Sequence, residues 1–375
     1  MSPATAATAV SDADAHADEN TQADQLAVYE TLKTGFERAV ERVGCIERDV
    51  LLAGFRVRLR FAGDGLLPSI LPALEHLATT ATGKPDLCIA LFDSTSTGTR
   101  LPLLAERYVD LLRLRWWEHL EGRREISALN GPRIRGVFHL GPDIFSLLDH
   151  DRDEGVYWVE DATALPYYER GSPLMVLLNW WLSEHGRFLV HAAGIGGADG
   201  GLLLTAKGGS GKSTTTLVCL LAGLGTVGDD YAVVDPECAV AYSLFNTVKL
   251  KGPEDVARFP ALQGCFDNLP RMAEGEKAML FMHQHFPRLL LPSLPLKAIL
   301  VPRFADRPET EIHPASSALA FKALAPSTMF QLPGNARAAF QGLAGLVRAV
   351  PAYEIALGSD IGRIPDAVRR FLEGL

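Results

Sequence analysis

The alternation of hydrophobic and polar positions changes its period along the chain, and these changes predict helices and strands. From Gln25 onwards large apolar residues recur at helical spacing, which predicts a helix. Residues 51–61 alternate apolar side chains with arginines, a pattern typical of a single half-buried strand. In the same region we predict a helix over 66–77 and strands over 87–92, 137–140 and 156–160.

Beyond residue 166 predicted strands and helices alternate, which indicates an α/β core. Two short apolar runs, Arg187–His191 and Gly201–Thr205, flank the turn residues Asp199-Gly200-Gly201, so we predict that they form a β-hairpin. The other predicted strands lie at 231–234, 247–250, 298–302 and 353–356, and the predicted helices at 173–185, 212–224, 316–325, 336–349 and 364–373.

The chain has 375 residues, a length that suits two domains. Residues 1–24 contain few large apolar side chains, so we expect a disordered tail that cannot bury enough surface to offset its ordering entropy. We expect a small α+β domain of unknown role over 25–165 and an α/β domain over 166–375.

Composition narrows the class of protein. The net charge is −9 and no long basic run occurs, which argues against nucleic acid or an anionic membrane surface as a partner. The five cysteines are widely spaced without a C-x-x-C pair, which argues against a zinc cluster and for a reducing compartment. We see no secretory signal and no run of about 18 apolar residues, so we expect a cytoplasmic protein.

A glycine-rich loop (residues 206–214) follows the predicted strand 201–205 and precedes a predicted helix. Its sequence, Ala-Lys-Gly-Gly-Ser-Gly-Lys-Ser-Thr, is nearly the Walker A motif G-x-x-x-x-G-K-[ST] of the P-loop. Glycines let the backbone turn its amide groups inward, which makes an anion site at the helix N-terminus. In this interpretation Lys212 contacts the β- and γ-phosphates and Ser213 offers a hydroxyl to Mg²⁺. The predicted nucleotide-binding residues are Lys207, Gly208, Gly209, Ser210, Gly211, Lys212, Ser213 and Thr214.

The loop departs from the motif at its first position, where Ala206 stands in place of glycine. A Gly/Ser-rich loop without a ligand is the simpler alternative. That alternative does not explain Lys212 at the start of a helix in a strand–loop–helix frame. We therefore predict a nucleotide-binding site that takes ATP with Mg²⁺.

Two neighbouring carboxylates, Asp229 and Asp230, follow the helix at the point where the chain returns to the sheet. One of them can accept a proton from an attacking hydroxyl and the other can hold Mg²⁺. The alternative is a helix-to-strand turn that simply uses aspartates. His191 ends a predicted strand, and its local pattern alone favours a packed core histidine.

Together, the run His191-Ala-Ala-Gly, the glycine-rich loop and the run Gly228-Asp-Asp-Tyr231 resemble the catalytic domain of bacterial HPr kinase/phosphorylase. The longer context, over about 165–375, resembles HPr kinase-related serine kinases, some of which are found beside peptide-modifying enzymes, including lasso-peptide tailoring kinases. That context comprises Trp180-Trp181, Tyr242–Leu250, Ile299–Arg303, Val350–Tyr353 and Asp360. The resemblance is weak over 25–165.

The resemblance implies a P-loop kinase core with a mixed sheet, related to phosphoenolpyruvate carboxykinase. It also implies three catalytic residues, in which Asp229 is the general base toward a substrate hydroxyl, Lys212 binds the phosphates and His191 lies near the transferred group. The implied metal ligands are Ser213 and Asp230.

The implied activity is transfer of the γ-phosphoryl group of ATP to a hydroxyl, on Ser or Thr of a peptide or small protein. Lys249 stands where true HPr kinases carry a metal-binding glutamate, which argues against phosphorolysis and against HPr as the substrate. Two alternatives stay open: a kinase for a small acidic molecule bound by Lys249 and Lys251, and a nucleotide-binding accessory protein with little turnover. True HPr kinases are hexamers, so the resemblance also leaves a homo-oligomer open.

Overall fold

The structure, a computed structural model, describes residues 3–100, 120–121, 125–139, 141–205, 209–329, 334 and 336–375. Helices occupy α1 (Pro3–Val43), α2 (Leu67–Leu74), α3 (Ser94–Thr97), α4 (Tyr167–Gly171), α5 (Met175–Glu184), α6 (Lys212–Leu221), α7 (Pro253–Ala257), α8 (Met282–His285), α9 (Ser317–Met329), α10 (Ala336–Ala349) and α11 (Ile364–Glu373). Strands occupy β1 (Cys45–Leu52), β2 (Phe55–Ala62), β3 (Leu87–Asp93), β4 (Leu120–Glu121), β5 (Glu125–Ile126), β6 (Ile134–His139), β7 (Ile144–Asp149), β8 (Glu154–Val159), β9 (Phe188–Val190), β10 (Ala192–Gly197), β11 (Gly200–Thr205), β12 (Gly225–Gly228), β13 (Ala232–Asp235), β14 (Val240–Tyr242), β15 (Thr247–Leu250), β16 (Ala278–Phe281), β17 (Ser293–Phe304), β18 (Glu311–Pro314) and β19 (Ala352–Leu357).

The chain divides into two compact units. The first comprises Met1–Arg48, Val57–Pro68 and Lys84–Ala164, and the second comprises Asp49–Arg56, Ser69–Gly83 and Leu165–Leu375. The main boundary therefore lies beside the boundary that we predicted at residue 165. The two short segments that belong to the second unit were not anticipated from the sequence.

Long-range contacts explain why these two short segments belong to the second unit. The His76 Nε2 atom lies 2.7 Å from Ser243 Oγ, and its Nδ1 atom lies 3.1 Å from Asn246 Nδ2. The Phe55 ring packs edge-on against Trp181, with 5.0 Å between the ring centroids. Partners this distant in sequence leave no trace in a local hydrophobic pattern.

The first unit is built on a mixed sheet with the strand order β1-β2-β3-β8-β7-β6-β5-β4. Strand β3 runs parallel to β2 and β8, whereas β7 runs antiparallel to β6 and β8. Helix α1 buries Tyr29, Leu32 and Phe36, and the Phe36 ring lies 6.2 Å from that of Phe92. These residues carry the helical spacing from which the helix after Gln25 was predicted.

The single strand predicted over 51–61 is wrong, because the structure has two strands, β1 and β2, on either side of a tight turn. The turn residues Ala53 and Gly54 have φ angles of 49° and 89°, in the left-handed region. Tight hairpins require such angles at both central residues. The turn was missed because alanine lies inside an otherwise regular alternation.

Helix α1 begins at Pro3 and so extends over most of residues 1–24, for which we expected no regular structure. The segment is rich in alanine, the residue with the strongest helix propensity. A low apolar content argues against a packed core, but it does not oppose helix formation. No described helix, α1 included, combines the length and apolar character needed to span a membrane.

The second unit contains a mixed sheet, which confirms the α/β class. The strand order is β12-β10-β11-β17-β14-β13-β9, and β19 pairs with β17 and with β18. Strands β11, β17 and β19 are parallel to one another. Strand β10 runs antiparallel to both of its neighbours, β11 and β12, so β12 and β11 point the same way.

The predicted hairpin partner of β11 is wrong. Strand β11 pairs with β10, whereas the predicted partner, Arg187–His191, supplies β9, which pairs with β13. The missed strand β10 contains Gly194, Gly196 and Gly197 and therefore lacks an apolar alternation. A Cβ atom at Gly196 would lie 2.6 Å from the carbonyl oxygen of Gly200, so close packing of the hairpin requires glycine there.

Helices cover both faces of this sheet, and alternate residues of the strands point to opposite sides. Leu204 and Leu300 pack on one side with Leu217 of α6. Leu203 and Ile299 pack on the other side with α9 and α10. This three-layer arrangement holds the loop between β11 and α6 at the edge of the sheet.

Replacing Leu300 with alanine tests the central position of β17. The side chain is fully buried, so its truncation leaves a cavity, and we expect the free energy of unfolding to fall by about 2–5 kcal/mol. Urea unfolding followed by tryptophan fluorescence measures the change. Leu221→Ala, at a side chain that is 46% exposed, is the matched control and should cost about 0.5 kcal/mol. Equal losses in the two variants would contradict the assigned core.

Candidate functional site

The glycine-rich loop joins β11 to α6. Its residues Ala206, Lys207 and Gly208 lie outside the described residues, so the predicted contacts of Lys207 and Gly208 stay predictions. Gly209 and Gly211 have φ angles of 82° and 92°, a left-handed conformation that glycine adopts without strain.

Close packing adds a second reason for glycine at two loop positions. A Cβ atom at Gly211 would lie 2.7 Å from Leu357 Cδ1, and one at Gly209 would lie 3.1 Å from Lys251 Nζ. Lys212 and Ser213 are the first two residues of α6, so the amide groups of the first helical turn face the loop. This is the arrangement that binds phosphate groups at helix N-termini.

The register of three strands brings the other candidate residues to the same edge of the sheet. Ala192, at the start of β10, pairs with Thr205, at the end of β11. Further along β10, Gly194 pairs with Gly228, at the end of β12. His191 therefore precedes β10 between the chain end of β11, which leads into the loop, and that of β12, which leads into Asp229 and Asp230.

A cavity of about 470 Å³ opens at this edge. Its lining includes His191, seven loop and helix residues (209–215), Asp230 and Tyr231, and several cationic side chains. The basic lining residues are Lys212, Lys249, Lys251, Arg258 and Lys277, and the acidic ones are Asp230 and Asp255. The excess of cations over carboxylates makes the cavity suited to a polyanion such as a nucleoside triphosphate.

Asp229 lies behind the loop and is fully buried. The Thr216 hydroxyl, one turn into α6, donates a 2.9 Å hydrogen bond to Asp229 Oδ1. Burial raises the pKa of Asp229 to about 6, and the charge of Asp230 acts in the same direction. The hydroxyls of Ser213 and Thr216 and the Lys212 ammonium oppose this rise.

Asp230 faces the cavity and lies between two basic side chains. Its Oδ1 atom is 3.4 Å from His191 Nε2, and its Oδ2 atom is 3.4 Å from Lys249 Nζ. Burial alone would raise the pKa of Asp230, but the hydrogen bond from His191 and the charges of Lys249 and Lys277 hold it well below its ordinary value. The two neighbouring carboxylates therefore have opposite electrostatic environments.

Two further lysines complete the electrostatics of the site. Lys249 is buried, and its Nζ atom also donates a 2.9 Å hydrogen bond to Ser172 Oγ. Burial lowers the pKa of Lys212, and the nearby Lys277 adds to this effect, whereas Asp229 and Asp230 oppose it. A cation held at a loop of this kind favours binding of phosphate oxygens.

The residues at the loop fit a magnesium ion. The Oδ2 atom of Asp229 is buried without a hydrogen-bond partner among the described residues. An unpartnered buried carboxylate oxygen is costly, and burial together with the charge of Asp230 raises the pKa of Asp229, an effect that a bound cation would oppose. Ser213 lies beside it on α6, so hydroxyl and carboxylate oxygens, the ligands that Mg²⁺ prefers, come together.

The structure thus brings together His191, Lys212, Ser213, Asp229 and Asp230, but it places the two aspartates differently from each other. Asp229 contacts the first turns of α6, and Asp230 faces the cavity and His191.

The structure adds Lys277 to the cationic residues that the sequence indicated. Lys277 lines the cavity, as does Lys251. The ion pair between Lys249 and Asp230 was missed, because Lys249 lies on β15, which pairs with β16 in a separate two-stranded sheet, whereas Asp230 follows β12. The only available signal was the departure from the family pattern at Lys249.

Comparison with solved structures finds distant similarity. The chain is similar to the structure of the Hpr(Ser) kinase/phosphatase from Coxiella burnetii, with a TM-score of 0.26 and 10% sequence identity, over 50% of this chain and 97% of that chain. No protein-family pattern and no curated protein matches the chain. Because a likeness this low carries no argument, the proposals below rest on the site.

Asp229 makes the stability of the metal-free protein depend on pH. The folded chain keeps this proton up to about pH 6, whereas the unfolded chain releases it near the ordinary value of 3.8. The contribution of Asp229 to the free energy of unfolding therefore falls as the pH rises from about 4 to about 6. We expect Asp229→Asn to be more stable than the wild type at pH 7 and to lose this advantage near pH 4.

Thermal unfolding in a metal chelator measures this difference. Asp230→Asn is the matched control, and we expect it to be less stable than the wild type at pH 7, because the buried Lys249 loses its carboxylate partner. An Asp229→Asn variant less stable than the wild type at pH 7 would contradict the electrostatic assignment.

Proposed function

We propose that this chain is a phosphotransferase that moves the γ-phosphoryl group of ATP to a hydroxyl group. The observation that carries the proposal is the common sheet edge at which β11, β10 and β12 bring the glycine-rich loop, His191 and the two aspartates to one cavity. Crevices at the carboxyl ends of parallel strands are frequent ligand sites in α/β proteins.

In this proposal the loop and the first turn of α6 bind the phosphates. The amide groups of residues 209–214 and the Lys212 ammonium would contact the phosphate oxygens, where negative charge spreads during transfer. Lys277 and Lys251 would add positive charge at the cavity wall. Most of the catalytic effect of such sites comes from positioning and electrostatic stabilisation rather than from covalent chemistry by the protein.

We propose that Ser213 and Asp229 hold Mg²⁺, which supplies positive charge to the phosphate oxygens when bound. The expectation from the resemblance was Ser213 with Asp230. Three observations support the different assignment: Asp229 contacts α6, its Oδ2 atom has no hydrogen-bond partner in the part of the chain that the structure describes, and its pKa is raised. Asp230 already has two basic neighbours, His191 and Lys249, so it has less need of a metal ion.

We propose that Asp230, rather than Asp229, accepts the proton of the attacking hydroxyl. In the transfer the hydroxyl oxygen forms a bond to the γ-phosphorus, the bond from that phosphorus to the ADP oxygen breaks, and the proton passes to an Asp230 carboxylate oxygen. Asp230 faces the cavity, whereas Asp229 is fully buried. A carboxylate with a low pKa suffices, because a loose transition state requires little proton removal before transfer.

His191 would act as a positioning residue for Asp230. Its Nε2 atom lies 3.4 Å from the carboxylate, and its ring lies 5.4 Å from the Tyr231 ring. Its main-chain amide donates a 3.2 Å hydrogen bond to Thr328 Oγ1, which anchors the residue between β9 and β10. These contacts hold the Asp230 carboxylate on the cavity side of the sheet edge.

The acceptor that we propose is a Ser or Thr hydroxyl of a peptide or small protein, which rests on the resemblance in the run from His191 to Asp230. A second candidate acceptor is a small acidic molecule, which the buried Lys249 and the half-buried Lys277 beside Asp230 favour. A third possibility, an accessory protein that binds nucleotide without turnover, is an outcome of the same experiment.

The test is to incubate the purified protein with γ-labelled ATP, Mg²⁺ and an extract of its own host, and to separate proteins, peptides and small metabolites. Label in one peptide or protein would support the proposal and identify the acceptor. Label only in a small metabolite would support the second candidate. Tight ATP binding without transfer would support the accessory protein.

Three substitutions separate the roles within the site. We expect Lys212→Ala to weaken ATP binding by about tenfold or more, because it removes the phosphate-binding charge. We expect Asp230→Asn to bind ATP normally and to lower kcat by about 10²–10⁴-fold. Asp229→Asn should instead raise the Mg²⁺ concentration that transfer requires.

Calorimetric titration with ATP and a magnesium series of initial rates measure these effects. Arg303→Ala is a matched control, because Arg303 pairs with Glu354 and is absent from the described cavity lining. If Asp229→Asn abolished transfer at saturating Mg²⁺ while Asp230→Asn retained it, Asp229 would be the base, as the resemblance implies.

A further inference from the structure

An exposed aromatic side chain lies next to the glycine-rich loop without a role in the mechanism above. Phe304 ends the long strand β17 and is 68% exposed, the highest value among the large apolar residues in the described part of the chain. Its ring would lie 3.5 Å from a Cβ atom at Gly211. Because Phe304 also lines the cavity, its exposed ring is part of the surface that a ligand in the cavity would contact.

The sheet places Phe304 on the far side of the loop from the aspartates. In the order β12-β10-β11-β17, with β19 paired to β17, the strand end that carries the loop lies between two groups. Asp229 and Asp230 follow β12 on one side. Phe304 and Leu357 end the parallel strands β17 and β19 on the other side, and they pair directly with each other.

This strand order would place the two ends of a bound nucleoside triphosphate on opposite sides of the loop. The transferred phosphoryl group must lie near Asp230, where the acceptor hydroxyl approaches. The nucleoside is at the opposite end of the phosphate chain and therefore leaves the loop on the side of β17 and β19. On that side the cavity is lined by apolar groups, namely Phe304, Leu357, Ile361 and Ile364.

Backbone hydrogen bonds hold this apolar surface in place. The amide of Ala305 donates to the Leu357 carbonyl at 2.8 Å, and the amide of Gly358 donates to Thr310 Oγ1 at 3.0 Å. A Cβ atom at Gly358 would lie 2.3 Å from the Pro308 carbonyl oxygen, so the close approach of the two segments requires glycine. The surface is thus formed before any ligand binds, which lowers the entropic cost of binding.

We propose that Phe304 and Ile361 form a base platform, a surface on which the base of the bound nucleotide stacks, and that the buried Leu357, which pairs with Phe304 in the sheet, supports it. The platform selects by the area of the aromatic ring, because an apolar surface offers stacking and van der Waals contact to any flat base. A purine covers more of it than a pyrimidine does. The proposal rests on the nucleotide-binding function proposed above. It attributes the affinity of the protein for the nucleotide base to Phe304.

The test is calorimetric titration of the full chain with ATP, CTP and inorganic tripolyphosphate, each with Mg²⁺. We expect the wild type to bind ATP more tightly than CTP. Phe304→Ala should weaken ATP binding by about tenfold, the effect of losing one stacked base contact, and should leave tripolyphosphate binding unchanged. Phe304→Trp should restore ATP binding, since it supplies a larger ring.

Phe340→Ala is the matched control, because Phe340 is also exposed, at 49%, but packs against Phe321 outside the described cavity lining. An unchanged affinity for ATP in Phe304→Ala would overturn the platform, and so would an equal loss of ATP and tripolyphosphate. After either result, a Lys212→Ala variant that binds none of the three ligands would still support the proposed function. A wild type that binds none of the three would overturn both.

Discussion

The parallel pairing of β11 with β17 and of β17 with β19 is the constraint on which the site depends. Parallel strands direct their carboxyl ends to one edge of a sheet, so the glycine-rich loop, Phe304 and Leu357 arrive there together. The antiparallel strand β10 starts at the same edge, so His191, which precedes it, lies beside the loop. Burial of Leu300 and its neighbours between helices on both faces keeps these strand ends in register.

The electrostatic environments of Asp229 and Asp230 distinguish the two residues at this edge of the sheet. Two carboxylates that follow each other in the chain cannot share one environment without a cost, since each raises the proton affinity of the other. The structure resolves the conflict by giving Asp230 two basic neighbours, His191 and Lys249, and by burying Asp229 against hydroxyl groups. A magnesium ion beside Ser213 would offset both the burial of the Asp229 carboxylate and its repulsion from Asp230.

Much of the site was predictable because its chemistry is concentrated in short motifs. The glycine-rich loop, Lys212 and the aspartate pair are visible in the sequence, since each needs particular residues at fixed spacing. The separate roles of the two aspartates were not visible in the sequence, because they depend on which carboxylate faces the cavity. Phe304 was missed for a similar reason: a phenylalanine at the end of an apolar strand has the same pattern whether it is buried or exposed.

The sequence by itself determined the α/β class, the strand–loop–helix frame and the residue types of the candidate site, because these depend on local periodicity and on glycine and charge at fixed positions. Only the tertiary structure decided the glycine-rich strand β10, the assignment of residues 69–83 to the second unit and the ion pair of Lys249 with Asp230. These features depend on contacts between segments that are distant in sequence, such as that of His76 with Ser243. The close packing of the glycines in β10 and an ion pair between separate strands do not follow a local period. A single sequence therefore carries no pattern that predicts them.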